Sequence, residues 1–183
     1  NQTPPAAPGS APAAAPTGLT VPDPNVPDPF PTTNWGAEAM DARGTAEVEV
    51  PRAPVTVGVI DTGIDAEQPD LAGRVDTSRS VSCDVNGIPN VSEEALRYND
   101  IHGTHIAGII AANHNDIGID GIAPDATLVS IKAVNDKGRL YPEYLVCAYD
   151  WAVNHGVDIV HNSFQMDPWR FWKADDPEQA AGL

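Results

Sequence analysis

The sequence predicts an α/β domain built on a parallel sheet flanked by helices. Three features point to it. Short β-branched apolar runs alternate with longer segments whose apolar residues recur at helical spacing. The runs are apolar almost throughout, as in strands buried on both faces of a parallel sheet. The helical segments carry their own punctuation, with Pro at a first turn and Gly just past an end. The order strand, helix, strand, helix, strand then calls for crossover connections on a parallel sheet.

Residues 1–34 stand apart. They hold ten of the chain's 18 prolines and no Lys or Arg. A stretch such as "APAAAPTGLTVPDPNVPDPFPTT" is an extended Pro/Ala linker or leader remnant without a core of its own. Globular sequence begins at Trp35. "PVTVGVI" (54–60) predicts the first strand. "HGTHIAGIIAAN" (102–113) predicts a helix, although Gly103 and Gly108 each cost about 1 kcal/mol against Ala in a helix interior. Such small residues suit a helix packed closely on its neighbours. "ATLVSIKAV" (126–134) is the second strand. "YPEYLVCAYDWAVNHG" is a helix with Pro142 in its first turn, Gly156 past its end, and Leu145, Ala148, Tyr149 and Ala152 along one face. "VDIVHNSF" (157–164) is the third strand. "DDPEQAAGL" opens a further helix, with Asp176 as cap, Pro177 at its first position and Gln179 three residues after the cap. Fewer than two turns follow before Leu183, which reads as a cut inside a domain.

Composition narrows the functional classes. The 183 residues carry a formal charge of −16, which repels a phosphate backbone, so no nucleic-acid partner is expected. No run of about 20 apolar residues is present, and no membrane span is expected. The N-terminus lacks the basic and then apolar pattern of a signal peptide. The two cysteines, Cys83 and Cys147, form no CxxC, and leave open one disulfide or two buried thiols.

In open parallel sheets functional groups gather at the carboxyl ends of strands. Asp61 stands there, directly after "VTVGVI" and before "TGID". By itself it reads equally as the closing Asx-turn of a strand. His102 and His105 in "HGTH" have the i, i+3 spacing of a metal pair, but no HExxH and no third ligand spaced for zinc accompany them.

Taken in order, "VGVIDTGID", "HGTHIAGIIAA", "GIAPDATLVSIKAV" and "GVDIVHNSF" resemble the subtilisin-like serine proteases, and among them the secreted bacterial members. The resemblance covers roughly residues 35–183 and implies the N-terminal portion of a subtilisin-like peptidase domain, incomplete in this chain. It implies that Asp61 and His102 are the acid and general base of an Asp-His-Ser triad, whose chain order is that known for subtilisin. His105 is then a structural neighbour. Extended peptide or protein substrates would be gripped through backbone groups by two edge segments. These match Lys137, Gly138 and Arg139 on one side and Ser163, Phe164 and Gln165 on the other. Gln165 and Met166 depart from the Gly-Gly usual after this strand. A calcium site is implied as well. Asp70 and Asn115 would give side-chain oxygens, and Asn113, Ile117 and Ile119 backbone carbonyls. The plain alternative is a loop closed by Asn and Asp without metal.

The resemblance also implies what these residues do not supply. The serine nucleophile of a Gly-Thr-Ser stretch and an oxyanion-hole Asn have no counterpart in the sequence, and Ser163 matches a substrate-binding position. The chain alone is therefore expected to be inert, with a second polypeptide carrying both groups. Two other readings are a peptide-binding pseudoprotease and a metal hydrolase using His102 and His105. In the family's architecture "SVSCDV" and the helix from Pro142 can lie near each other. A secreted, extracellular location would allow Cys83 and Cys147 to bridge, two separate thiols being the alternative.

Overall fold

The structure, a computed structural model, describes residues 36, 39–41 and 54–164. The Pro/Ala stretch, Gln165, Met166 and the segment after Asp176 lie outside the described residues. Among the described residues four parallel strands form one sheet in the order β2-β3-β1-β4. They are β1 (Thr56–Asp61), β2 (Val81–Ser82), β3 (Thr127–Lys132) and β4 (Ile159–Asn162). The α-helices described around them include α1 (Glu93–Leu96), α2 (His102–Ala111) and α3 (Pro142–Asn154). A 3-10 turn spans Pro69–Leu71. No helix among the described residues is long and apolar enough to cross a membrane.

β1 is buried along its whole length because both faces are covered. Its odd-numbered residues Val57 and Val59 join Leu71, Leu128, Ala107 and Ala111 in one core layer, which seats α2 on the sheet. Ile60 faces the other way. With Val129 and Ile131 it meets Tyr144, Cys147, Ala148 and Ala152 of α3. Fully burying an Ile or Leu such as Ile60, Leu128 or Ile131 contributes about 1.5–3 kcal/mol, so the two layers account for the sheet's position between the helices.

The small residues of α2 have the packing role expected of them, but not all equally. Ala107 and Ala111 are fully buried. A Cβ on Gly103 would collide with the Gly63 carbonyl and lie 3.2 Å from the Asp61 side chain. Gly108 has open space where a Cβ would stand, so its helix-weakening cost is not offset by close approach.

Several boundaries and faces differ from expectation. α2 ends at Ala111, because the amide of Asn113 leaves the helix to donate to the Asp70 carbonyl at 2.8 Å. The buried face of α3 runs through Tyr144, Cys147, Ala148 and Ala152, whereas Tyr149 is 40 % exposed. β2 was not expected, since two residues are too few to show a period. β4 is shorter than the predicted 157–164 and Ile159 is 55 % exposed; among the described strands it pairs only with β1. At its start Asp158 clasps Thr56, the carboxylate accepting the Thr56 amide at 2.8 Å and the Asp158 amide donating to the Thr56 carbonyl at 3.0 Å.

A disulfide joins Cys83, just after β2, to Cys147 in the middle of α3, with Cα atoms 5.9 Å apart. It links a sheet edge to the helix on one face. At the opposite end of the sheet Arg79 donates to Asp76 at 2.7 Å. Hydrogen bonds from Ser78, and then Arg79, hold the Asp76 carboxyl down at about 2.

Candidate active site

β1 ends in Asp61, and the chain must turn there to leave the sheet. Gly63 makes the turn with φ +94°, and a Cβ on it would meet the Tyr98 backbone. The turn is stitched to the start of α2 by Thr62. Its hydroxyl donates to the Asp100 carbonyl at 3.0 Å and accepts the Gly103 amide at 3.0 Å. The Asp100 carboxylate accepts the His102 amide at 2.9 Å, and so satisfies one of the orphan donors of the first turn. A second stitch is Thr104, whose hydroxyl accepts the Asp65 amide at 2.9 Å. Two loops distant in sequence are thereby fixed against each other, and they carry Asp61 and His102.

The outcome is a close acid–imidazole pair. His102 Nδ1 lies 2.8 Å from Asp61 Oδ1 and 2.9 Å from Oδ2. Asp61 is only 2 % exposed, while the His102 side chain is 47 % exposed. Asp61 Oδ1 also accepts the Thr62 amide at 2.7 Å. The two readings of this Asp, turn-closing residue and partner of a histidine, therefore hold for a single carboxylate. An ionised carboxylate can only accept, so Nδ1 carries the proton and Nε2 is left as the basic nitrogen. His105 is exposed and sits one turn further along α2. Among the described residues no group of three or more His, Cys, Asp or Glu side chains is placed to hold a metal ion.

The topology sets the predicted peptide-gripping segments on either side of this pair. β1 lies between β3 and β4. The chain leaving β3 reaches Lys137, Gly138 and Arg139, all exposed, in a tight turn. The Asn135 side chain accepts the Lys137 and Arg139 amides at 3.0 and 3.1 Å, and Gly138 has φ +66°. The chain leaving β4 presents Ser163, which is exposed, and Phe164, which packs against the α3 core layer. Ser163 Oγ is 2.7 Å from His161 Nε2.

The subtilase family profile matches residues 52–179. The chain belongs to the subtilase family. It is 39 % identical over 109 residues to an intracellular serine protease of Paenibacillus polymyxa, covering 60 % of this chain and 32 % of that protein. It is 36 % identical over 111 residues to subtilisin E of Bacillus subtilis (strain 168), covering 60 % of this chain and 26 % of the relative. Fervidolysin of Fervidobacterium pennivorans is 32 % identical over 136 residues, with 71 % of this chain and 19 % of that protein covered. The crystal structure of fervidolysin, described as a keratinolytic enzyme related to subtilisin, superposes with a TM-score of 0.48 at 29 % identity, covering 58 % of this chain and 16 % of that one. This subtilase chain thus spans about a fifth to a third of the length of these relatives.

The loop proposed for calcium in this subtilase is wrapped around one carboxylate. Asp70 is 7 % exposed. Its Oδ2 accepts the Ile119 amide at 3.1 Å. Gly118, at φ +64°, comes so near that a Cβ would collide with the same oxygen. Asn115 Oδ1 accepts the Ile117 amide at 3.1 Å. The Asn113 side chain is engaged elsewhere, accepting from Arg74 Nε at 2.6 Å and donating to the Ala72 carbonyl at 3.0 Å, so only its backbone carbonyl matches the implied ligand set. His114 and Asp120 pair at 2.6 Å across the loop. In these contacts Asp70 and Asn115 each accept a backbone amide of the loop that follows α2.

Sequence reasoning missed Thr62, Asp100 and Thr104 as the parts that set the pair's geometry. For the two threonines the signal was present in "DTG" and "HGTH", where no packing period explains them; Asp100 lies outside both motifs.

Proposed function

We propose that this chain is the part of a secreted serine endopeptidase that holds the orienting acid and the general base of an Asp-His-Ser triad. The observation that carries the reading is the 2.8 Å contact between His102 Nδ1 and the buried Asp61 carboxylate at the carboxyl end of a central parallel strand. Asp61 fixes the tautomer, so that His102 Nε2 takes the proton of a serine hydroxyl as its oxygen attacks the scissile carbonyl carbon. The imidazolium formed is stabilised by the carboxylate, and its proton then passes to the leaving amine. The remaining acyl-enzyme is hydrolysed by water in the reverse sense. An extended peptide would lie between the backbone of residues 137–139 and that of 163–165, and so be presented to the serine.

The serine and the oxyanion Asn belong to polypeptide outside these 183 residues, which contain no Gly-Thr-Ser stretch. Two further points support the reading. Two thirds or more of each relative named above lies beyond the matched region. The Cys83–Cys147 bridge suits an oxidising, extracellular setting. The chain alone is expected to hydrolyse no peptide. Joined to its missing part it should cleave peptides and be labelled by a serine-directed phosphonate on a residue outside this chain. Protease activity that a chelator abolishes and the phosphonate leaves untouched would instead favour the metal hydrolase. Peptide binding without cleavage by the completed domain would favour a pseudoprotease.

Calcium belongs to the same proposal. Asp70 and Asn115 would hold it through side chains, and Asn113, Ile117 and Ile119 through carbonyls, with the ion tying the loop after α2 to the 3-10 turn. Because such an ion binds only the folded state, chelation should lower the melting temperature; at free calcium 100-fold over its Kd the loss is about 2.7 kcal/mol. Asp70→Ala should remove the chelator effect. A melting curve indifferent to chelator would exclude the site.

A further inference from the structure

A buried lysine stands beside Asp61 and does not pair with it. In the β1–β3 ladder Asp61 is the register partner of Lys132. Register partners in a parallel pair project to the same face, and adjacent strands lie only about 4.8 Å apart. A lysine stem reaches readily across that gap. Both groups are shielded from water, Asp61 at 2 % and the Lys132 side chain at 8 % exposure. An ammonium and a carboxylate so placed attract strongly. Yet the Asp61 oxygens are occupied by His102 and Thr62, and Lys132 turns the other way.

What turns it is Asp84. Lys132 Nζ lies 3.1 Å from Asp84 Oδ2, and the Asp84 side chain is 10 % exposed. The other oxygen, Oδ1, accepts from the Ser82 hydroxyl at 2.5 Å. Ser82 is the register partner of Lys132 on the strand away from Asp61. The segment carrying Asp84 is itself held, since the Cys83 amide donates to the Lys132 carbonyl at 2.7 Å and Cys83 is bridged to α3. Asp136 lies 3.9 Å from the ammonium, but its side chain is 85 % exposed and its attraction is screened. Across three neighbouring strands and the start of α2, the charges therefore run Asp84, Lys132, Asp61, His102.

We propose that Asp84 is a positioning residue for the Asp61–His102 pair: by engaging the Lys132 ammonium it keeps a buried cation off the Asp61 carboxylate and leaves its oxygens to His102 and the Thr62 amide. The proposal rests on the reading of Asp61 and His102 as a general-base pair. Its two partners have opposite effects. Without Asp84, the buried ammonium is left with Asp61 as the buried carboxylate in reach. Without Lys132 as well, no competitor remains and the pair is undisturbed. Other charges near the imidazole are Asp100, which accepts its backbone amide, and Asp136 beyond Lys132.

The test is the titration of the His102 ring, followed by NMR in the complete protease. In Asp84→Asn the ring should titrate about one pH unit lower, because an opposite charge close to Asp61 removes part of what stabilises the imidazolium. Adding Lys132→Met should return it to the wild-type value. A folded Asp84→Asn protein with an unshifted ring overturns the proposal, as does a double variant that stays low. Should Asp84→Asn not fold, Ser82→Ala, which only loosens Asp84, should lower the titration by a smaller amount, and no fall there overturns it equally. Hydrolysis of a chromogenic peptide by the wild-type protein separates the two readings. An active protease with an unmoved ring leaves the function standing without the positioning role. A shifted ring in a protein without peptidase activity retains the positioning and removes the function.

Discussion

A complete protease carrying His102→Ala is expected to lose roughly 10⁴–10⁶-fold in kcat, because members of a nucleophile–base pair act as a unit. KM should change little, since the segments proposed to grip the peptide, 137–139 and 163–165, do not include this side chain. Asp61→Asn should cost about 10⁴-fold by presenting an amide that no longer fixes the Nδ1-protonated tautomer. The His102 variant should fold normally. Its side chain is 47 % exposed, and Asp61 retains the Thr62 amide at 2.7 Å. The measurement is kcat and KM on a chromogenic peptide, with circular dichroism as the folding control. A His102→Ala protein within tenfold of wild type would remove His102 as general base.

Breaking the Cys83–Cys147 bridge should have the largest effect on stability. The two residues are 64 apart in sequence. By the chain-entropy estimate a closed loop of that size is worth about 4 kcal/mol. In a domain of this size that corresponds to a fall in melting temperature of roughly 10 °C or more. The Cys83→Ser/Cys147→Ser variant, or the reduced protein, should show it. The bridge also holds the segment that carries Asp84, so its loss should loosen the Lys132 ammonium as well as the sheet edge. Two thiols titrated in the unreduced, denatured chain would contradict the bridge.

The sequence by itself determined the class of fold and singled out Asp61 and His102, the pair proposed above as acid and base. Apolar runs such as "VTVGVI" and "LVSI" are legible because burial on both faces of a parallel strand demands uninterrupted apolar residues, and such a demand is local. Asp61 and His102 were legible for a different reason: their surroundings, "DTG" and "HGTH", are short motifs of a known family. Tertiary structure alone decided how the pair is held. Thr62, Asp100 and Thr104 act across gaps of about 40 residues, and no periodicity in a chain encodes a contact of that range. β2 was invisible for the same reason, since two residues become a strand only when β3 is beside them. The face of α3 was misjudged at Tyr149 because several helical stripes satisfy one apolar pattern, and only the position of the sheet and the disulfide selects among them. Lys132 shows the limit most clearly. In sequence it is one charged residue at the end of a strand; the register beside Asp61 and the turn toward Asp84 follow from which strands become neighbours, and that is settled by packing, where burial makes each unpaired charge costly.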